Sequence, residues 1–545
     1  MSRFHFPSEF LILYRPTLAA IITAVRAGGL KHAQAMFEAG GYEDRFDDPA
    51  ALAVKGRLLK SRAILQEPER QREAFAAAAS SYAAADRLSP QPYTRINVAT
   101  LSWLAGDRAT GRAMAQDLLI WLESNADIAE TPYFLAATRA EALTLLEDYA
   151  GANAALGEAI VRDPQGWEDH ASTIRQLELI LEKQGGPTAW LDRHRPPRSV
   201  YFSGHLGVAV EGSEPLTEQV RRILEEEQIG FGFGALAAGA DLVIAECLLE
   251  RGAELHLILP NSVEDFIAQS IAPYDRAWRA RFYRCLAAAS TVRCETQLAE
   301  GYQPLGMQLA SDVAMGSALL HARRLASEAV QLAVIDTGPG EFGSGLETAR
   351  CARAWRQSGG RQHLIRWPRT ASVIASGAKT EPEGRTDLRL AALLHISFDG
   401  LENLDDRQFA RAVDELLVPM RALAAQLPIV PDLVLPAGNA RIAAFPDPRT
   451  AWAYARALLT LPEGALPLRL AAHYGVAHKL DNPSALVGRT LGELARIAEA
   501  ALPGVLTTSE TFADALQLER REPPHVEHVG ETGPIALFTI TERAA

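Results

Sequence analysis

The first 195 residues carry no alternating run of β-branched side chains. Alanine is abundant, and apolar residues return every three or four positions, the spacing of amphipathic helices. Such a stretch can only fold as helix upon helix. Two passages recur, the first at an offset of about 41 residues. Leu104–Ala113 (LAGDRATGRA) is echoed by Leu145–Ala154 (LLEDYAGANA), and Tyr82–Pro90 by Leu156–Pro164, each of the latter closing on proline. Small residues at Ala99, Ala109, Ala113, Ala140, Ala150 and Ala154 let neighbouring helices approach closely. Each helical pair then needs its neighbours to bury its apolar face. A non-repetitive helical bundle is the alternative. The apolar run Phe10–Val25 is interrupted by Arg15 and Pro16, well short of the roughly 20 residues that span a bilayer. It reads as a first, partly buried helix, without the basic start and small-residue cleavage site of a signal peptide.

Proline and arginine crowd at Arg193–Arg198, and the texture changes there. A short strand at Val200–Phe202 leads into Ser203 and Gly204, and a helix follows at Glu218–Glu227. The stretch Gly232–Pro260 reads as a glycine-rich turn, a helix from Asp241 to Arg251 and a strand at Glu254–Leu259. A strand at Leu332–Asp336 feeds a second glycine-rich turn, Thr337–Gly345. Strands alternating with helices, with glycines at strand ends, predict a parallel sheet covered on both faces. The small, polar stretch 371–386 reads as a linker. Beyond it come a strand at Leu388–Phe398, a helix at Arg407–Gln426, strands at Leu433–Leu435 and Arg441–Phe445, and a helix at Arg449–Leu459. A strand at Pro467–His473, a helix at Gly488–Ala500, a strand and helix within Gly504–Ala515, and terminal strands complete an α+β arrangement on a mixed sheet.

With 545 residues, the chain exceeds one hydrophobic core. The expected organisation is helical repeats over 1–195, an α/β Rossmann-like domain over 196–370, the linker, and an α+β ferredoxin-like domain over 387–545. A net charge of −13 argues against a general nucleic-acid or anionic-membrane binder, since both require a basic face. Four widely spaced cysteines, Cys247, Cys285, Cys294 and Cys351, form neither a CxxC pair nor a disulfide framework. A reducing cytoplasm is the expected location.

Gly232, Gly234 and Gly239 would let backbone approach a phosphate or ribose, with Asp241 capping the following helix and Glu246 facing the same crevice. The competing reading is that these glycines serve turns and helix–sheet packing. The string Gly234-ALAAGAD followed by GAELHLILP resembles the SLOG superfamily of Rossmann-like domains, which includes cytokinin-activating phosphoribohydrolases and the DNA-processing protein A family. That resemblance implies a nucleotide-type ligand lined by Ser203, Gly204, Gly234, Gly239 and Asp241. The hydrolase members carry a PGGxGTxxE turn, which Gly338–Glu347 matches only loosely. In Ser270–Phe282, Arg279 and Arg281 beside Trp278 and Asp275 either clamp a phosphate or decorate an exposed helix that buries its aromatic residues. The helical region resembles tetratricopeptide repeats, and more narrowly the TRAFs-binding domain, which implies a protein partner.

Four segments of the last region resemble the class III adenylate/guanylate cyclase domain: Leu393–Leu404, Pro436–Phe445, Leu468–His478 and Leu486–Phe512. In that family two aspartates hold two divalent cations, which stabilise the attacking and leaving oxygens. Aligning Gly400 with the first motif's glycine puts Ser397 where the first aspartate belongs. In the hairpin, Gly438-Asn439-Ala440 replaces GDG, so Asn439 stands in the second position. Neutral oxygens cannot balance two Mg²⁺ or Mn²⁺ ions, so no cofactor is expected unless the domain is active. Asp399, two residues beyond Ser397, and Arg496 on the Gly488–Ala500 helix are the remaining catalytic candidates. His473 reads as structural. The resemblance implies a homodimer, or a heterodimer with an active cyclase. The expected function is a non-enzymatic signalling scaffold. An active cyclase using Asp399 and a hydrolase of nucleoside phosphates are the alternatives.

Overall fold

The computed structural model describes residues 16–125, 130–296, 304–370, 387–461, 466–481, 484–518 and 524–542. The chain divides into two compact units. One comprises Met1–Pro196 with Arg324–Ala326 and Glu542–Ala545; the other comprises Pro197–Arg323 and Ser327–Thr541. The expected linker at 371–386 lies outside the described residues, as does the first part of the apolar run, 10–15.

The first unit contains α1 (Leu18–Arg26), α2 (Leu30–Ala39), α3 (Pro49–Ile64), α4 (Pro68–Leu88), α5 (Pro92–Leu104), α6 (Arg108–Ser124), α7 (Pro132–Leu145), α8 (Tyr149–Arg162) and α9 (Trp167–Gln184). From α3 to α8 each helix packs on the next. The sequence echo becomes a structural one. Asp107 and Asp148 cap α6 and α8, each carboxylate accepting the N–H three residues on, at 3.1 Å from Thr110 and 2.9 Å from Gly151. Proline opens α3, α5 and α7, where its missing N–H removes no helical bond. A polar layer joins four alternate helices. Lys60 on α3 donates to Asn97 on α5 at 3.2 Å, while Glu141 on α7 accepts from Thr100 at 2.6 Å and from Gln176 on α9 at 2.9 Å. Burial pushes the Lys60 ammonium's pKa down and the Glu141 carboxyl's up.

The second unit holds two sheets. The first is built from β1 (Arg198–Gly204), β2 (Ile229–Gly234), β3 (Glu254–Leu259), β4 (Thr291–Cys294), β5 (Ala329–Ile335) and β6 (Gln362–Arg366), in the order β4-β3-β2-β1-β5-β6. Every pairing is parallel. Its helices are α10 (Glu214–Glu226), α11 (Ala240–Glu250), α12 (Val263–Ser270), α13 (Arg276–Ala288), α14 (Pro304–Arg324) and α15 (Leu346–Gln357). Val200, Phe202, Leu255, Leu257, Leu332 and Val334 fill the core beneath α11 and α13. One expectation needs correction here. Gly232 and Gly234 belong to β2 and not to a turn. A Cβ at Gly232 would sit 2.4 Å from Leu248 Cδ1, so this glycine leaves the space that the Leu248 side chain of α11 fills.

The second sheet contains β7 (Leu388–Phe398), β8 (Leu433–Ala437), β9 (Ala440–Phe445), β10 (Leu468–Asp481), β11 (Ser484–Val487), β12 (Leu506–Ser509), β13 (His525–Thr532) and β14 (Ile535–Thr541). Its order is β13-β14-β12-β10-β7-β9-β8, with β11 paired to β10. The β10–β12 pair is parallel, whereas β7 is antiparallel to β10 and β9, so the sheet is mixed as expected. The helices are α16 (Asp406–Ala412), α17 (Val418–Gln426), α18 (Pro448–Leu458), α19 (Arg489–Ala500) and α20 (Glu510–Leu516). The single helix expected at Arg407–Gln426 is broken by a π turn at Val413–Leu417, immediately before Pro419. Proline supplies no N–H to the ladder, and the wider turn takes up the mismatch.

The two sheets are locked together within this unit. Ser317 on α14 donates to Asp514 on α20 at 2.8 Å, and Arg293 on β4 reaches Asp514 at 2.8 Å and Glu510 at 3.2 Å. A Cβ at Gly316 would lie 1.9 Å from the Asp514 carbonyl oxygen, so α14 and α20 touch backbone to backbone. No helix among the described residues is long and apolar enough to cross a membrane.

Candidate functional site

In a parallel sheet whose strand order reverses at β1, the crevice for a ligand opens at the carboxyl ends of the strands. Ser203 and Gly204 end β1, and Gly234 ends β2. Gly239, at φ +103°, turns the chain into α11, whose second residue is Asp241. These groups therefore share one edge. Their reasons for being there differ. A Cβ at Gly204 would meet Ala240 Cβ at 2.3 Å, and one at Gly234 would meet the Phe202 carbonyl at 2.6 Å, so both glycines are required by packing. Gly239 is required by its backbone conformation.

Asp241 is buried, and its Oδ2 accepts the Ala237 N–H at 3.2 Å. Its Oδ1 is buried with no protein partner. Burial pushes this carboxyl up to about 7. A further polar atom along the same strand ends is buried without a partner, Asn261 Oδ1, two residues past β3, while Ser203 Oγ is buried next to the Tyr201 hydroxyl. Asn261 escaped the sequence reading. The available signal was an amide placed just after a buried strand, at the position where the preceding strands end in Gly204 and Gly234.

Glu246 faces elsewhere. Arg281 on α13 donates to it through Nε at 2.9 Å and Nη2 at 2.5 Å, and Arg284 approaches at 3.4 Å. The Arg281 guanidinium also stacks 4.2 Å from the Trp278 ring. Trp278 and Phe282 are buried while Arg279 is exposed, so α13 is a surface helix with an aromatic inner face. The second glycine-rich turn closes on itself. Asp336, just past β5, accepts from the N–H groups of Gly338 at 2.9 Å and Ser344 at 2.8 Å, from Ser344 Oγ at 2.7 Å and from Arg369 Nε at 2.7 Å. These donors hold its carboxyl well below the usual range against the opposing effect of burial. Nearby, His205 accepts the Gly207 N–H on Nδ1 and so donates from Nε2 to the Trp367 carbonyl at 3.0 Å. Burial and the neighbouring Arg369 push that imidazole down to about 4.

In the second sheet, Ser397 lies directly opposite Arg469 on β10. Asp399 is ion-paired with the same Arg469. Asn439 is exposed at the tip of the β8–β9 hairpin, after Gly438 at φ +60°. The register Ile396↔Arg441 brings the turn end of that hairpin alongside Ser397. Arg496 is exposed on α19. Among the described residues no cluster of three or more histidine, cysteine, aspartate or glutamate side chains could hold a metal ion.

No protein-family model matches the chain, and no curated protein matches it. Among solved structures it is similar to the guanylyl cyclase domain of the RhoGC fusion protein from the aquatic fungus Blastocladiella emersonii, with 14% identity over 28% of this chain and 96% of that one and a TM-score of 0.24. It is also similar to the adenylyl cyclase CyaB from P. aeruginosa, with 13% identity over 29% and 95% and a TM-score of 0.24. A third similarity is to an adenylate/guanylate cyclase/hydrolase from Silicibacter pomeroyi, with 19% identity over 29% and 98% and a TM-score of 0.23.

Proposed function

We propose that the chain is a ligand-responsive signalling protein and not a nucleotide cyclase. In this reading the parallel-sheet domain binds a nucleotide-type small molecule at its carboxyl edge. The helical region, read as tetratricopeptide-type repeats, docks a protein partner. The second sheet, read as a class III cyclase-type domain, serves as a pairing surface for a second copy or for a related cyclase.

The observation that carries the reading is the buried Asp241 carboxyl, with one oxygen left unpartnered at a strand-end crevice. An orphaned buried polar atom is disfavoured by about 1–3 kcal/mol, and a ligand donor or acceptor placed there relieves it. With its titration moved to about 7, Asp241 offers either a proton or an acceptor to a sugar hydroxyl or base near neutral pH. The second sheet supports the non-cyclase half. Ser397 and Asn439 are neutral, and the acid Asp399 is already paired with Arg469. These residues do not fit a pair of divalent cations, and no cyclisation step is derived through them.

The test is the melting temperature of the full chain with AMP, ADP, ATP and a nucleotide sugar, since a ligand of the native state raises it. A rise that disappears in Asp241→Asn is expected; no shift with any of them removes the ligand-sensing reading. Incubation with ATP or GTP and Mg²⁺ or Mn²⁺ should yield no cyclic nucleotide. Release of cyclic product, lost in Asp399→Asn, would overturn the non-cyclase half.

A further inference from the structure

Within the second unit, the end of β4 faces the second sheet across a cavity of about 450 Å³, inside the size range of small-molecule sites. Ser509, His473 and Glu493 line it, with Arg489, Val476 and Ile535 among the other walls. The three side chains form a continuous chain. Ser509 Oγ is 2.7 Å from His473 Nδ1, and His473 Nε2 is 2.9 Å from Glu493 Oε2. Arg489 Nε in turn holds Glu493 Oε1 at 2.7 Å.

The proton positions follow from the partners. His473 and Arg489 keep the Glu493 carboxyl below the usual carboxylate range despite burial, so it accepts. His473 Nε2 therefore carries the hydrogen, and Nδ1 is left as the acceptor for the serine hydroxyl. Ser509 Oγ also takes the Phe512 N–H at 3.2 Å, capping α20, which uses one lone pair and leaves its proton directed at the histidine. This is the order nucleophile, base, orienting acid, with the two ring nitrogens exchanged relative to the usual serine-hydrolase arrangement; either imidazole nitrogen can serve as base.

The geometry points to an acyl-transfer site at Ser509, with His473 as general base and Glu493 as positioning residue, acting on small carboxylic esters. The Ser509 oxygen bonds to the ester carbonyl carbon while its proton passes to His473 Nδ1. The carbon–oxygen bond to the leaving alcohol then breaks, and the departing oxygen takes that proton from Nδ1. Water, deprotonated by the same nitrogen, cleaves the acyl-serine, and Ser509 recovers its proton. Arg489, in the cavity wall, holds Glu493 in place for the histidine. Val476 and Ile535 provide an apolar wall for a short acyl chain. The site is independent of Asp241 and of the ligand reading above.

The full chain would be treated with a fluorophosphonate probe and mapped by mass spectrometry, and p-nitrophenyl acetate hydrolysis followed over pH. An adduct on Ser509 is expected, together with measurable turnover of the ester. Ser509→Asn keeps a side-chain cap for α20 and should lower turnover at least about 100-fold. Glu493→Gln should lower kcat with little change in KM and displace the pH profile, which a merely structural glutamate would not do. A protein with unchanged melting temperature that gives no Ser509 adduct, or a Ser509→Asn variant that retains full hydrolysis, would overturn the assignment.

Discussion

Two glycine-rich stretches end at the same edge of the parallel sheet, and they differ in how their acids are used. At Thr337–Gly345 the carboxylate of Asp336 is saturated by two backbone N–H groups, a hydroxyl and a guanidinium. At Gly234–Asp241 the carboxyl of Asp241 has two backbone donors, the N–H groups of Ala237 and Gly204, no side-chain donor, and one oxygen, Oδ1, left unpartnered. Glycine content alone does not separate a ligand turn from a structural one. The donor count on the buried acid does: the saturated acid organises its own loop, and the undersupplied one is available to a guest.

The two acids should also respond oppositely to pH. Asp336 titrates below its unfolded value, so its contribution is fully present above about pH 4 and is lost as pH falls through its depressed folded value. Asp241 titrates above its unfolded value, at about 7, so its contribution is fully present below about pH 4 and is lost as pH rises through 7.

The largest effect is expected at the saturated turn. Asp336→Ala strands four donors and leaves Arg369 without its carboxylate, and should destabilise by about 3 kcal/mol in urea unfolding at pH 7. A loss below about 1 kcal/mol would erase the contrast. Asp241→Asn comes next, with the opposite sign. It should stabilise by about 2 kcal/mol at pH 8, vanish as a difference near pH 4, and abolish any nucleotide-induced melting shift. Gly204→Ala should destabilise by about 1–3 kcal/mol, because the added methyl meets Ala240 at 2.3 Å, and should do so equally at pH 4 and pH 8. The smallest change is expected for Glu246→Gln. Breaking its pairing with Arg281 should lower stability by about 1 kcal/mol while leaving nucleotide-induced shifts intact, which places the ligand crevice away from that face of α11.

Local signals carried much of the fold. The strands expected at Leu388–Phe398 and Glu254–Leu259 match the observed spans, because apolar runs between turns are written in neighbouring residues. The repeat between Leu104–Ala113 and Leu145–Ala154 was equally visible, since its capping aspartates sit inside the repeated words. What escaped depends on distant partners. Gly232 looks like a turn residue until Leu248 is seen against it, and the strand from Pro467 runs on to Asp481 because β7 and β11 pair with its continuation. Glu246 sits on the expected helix, but Arg281, 35 residues away, decides what it touches. Ser509, His473 and Glu493 span three elements, and no spacing rule relates them.

The lock between α14 and α20 restricts how this polypeptide could be dissected. Asp514 is almost wholly buried and draws its charge balance from Arg293, more than two hundred residues upstream. A fragment starting after residue 386 would retain this acid and lose its cation, together with the Ser317 hydroxyl. Such a piece should be soluble only if another molecule, or water, takes over that role. The second sheet cannot be transplanted by cutting at the sequence boundary; the parallel-sheet region before it has to travel with it.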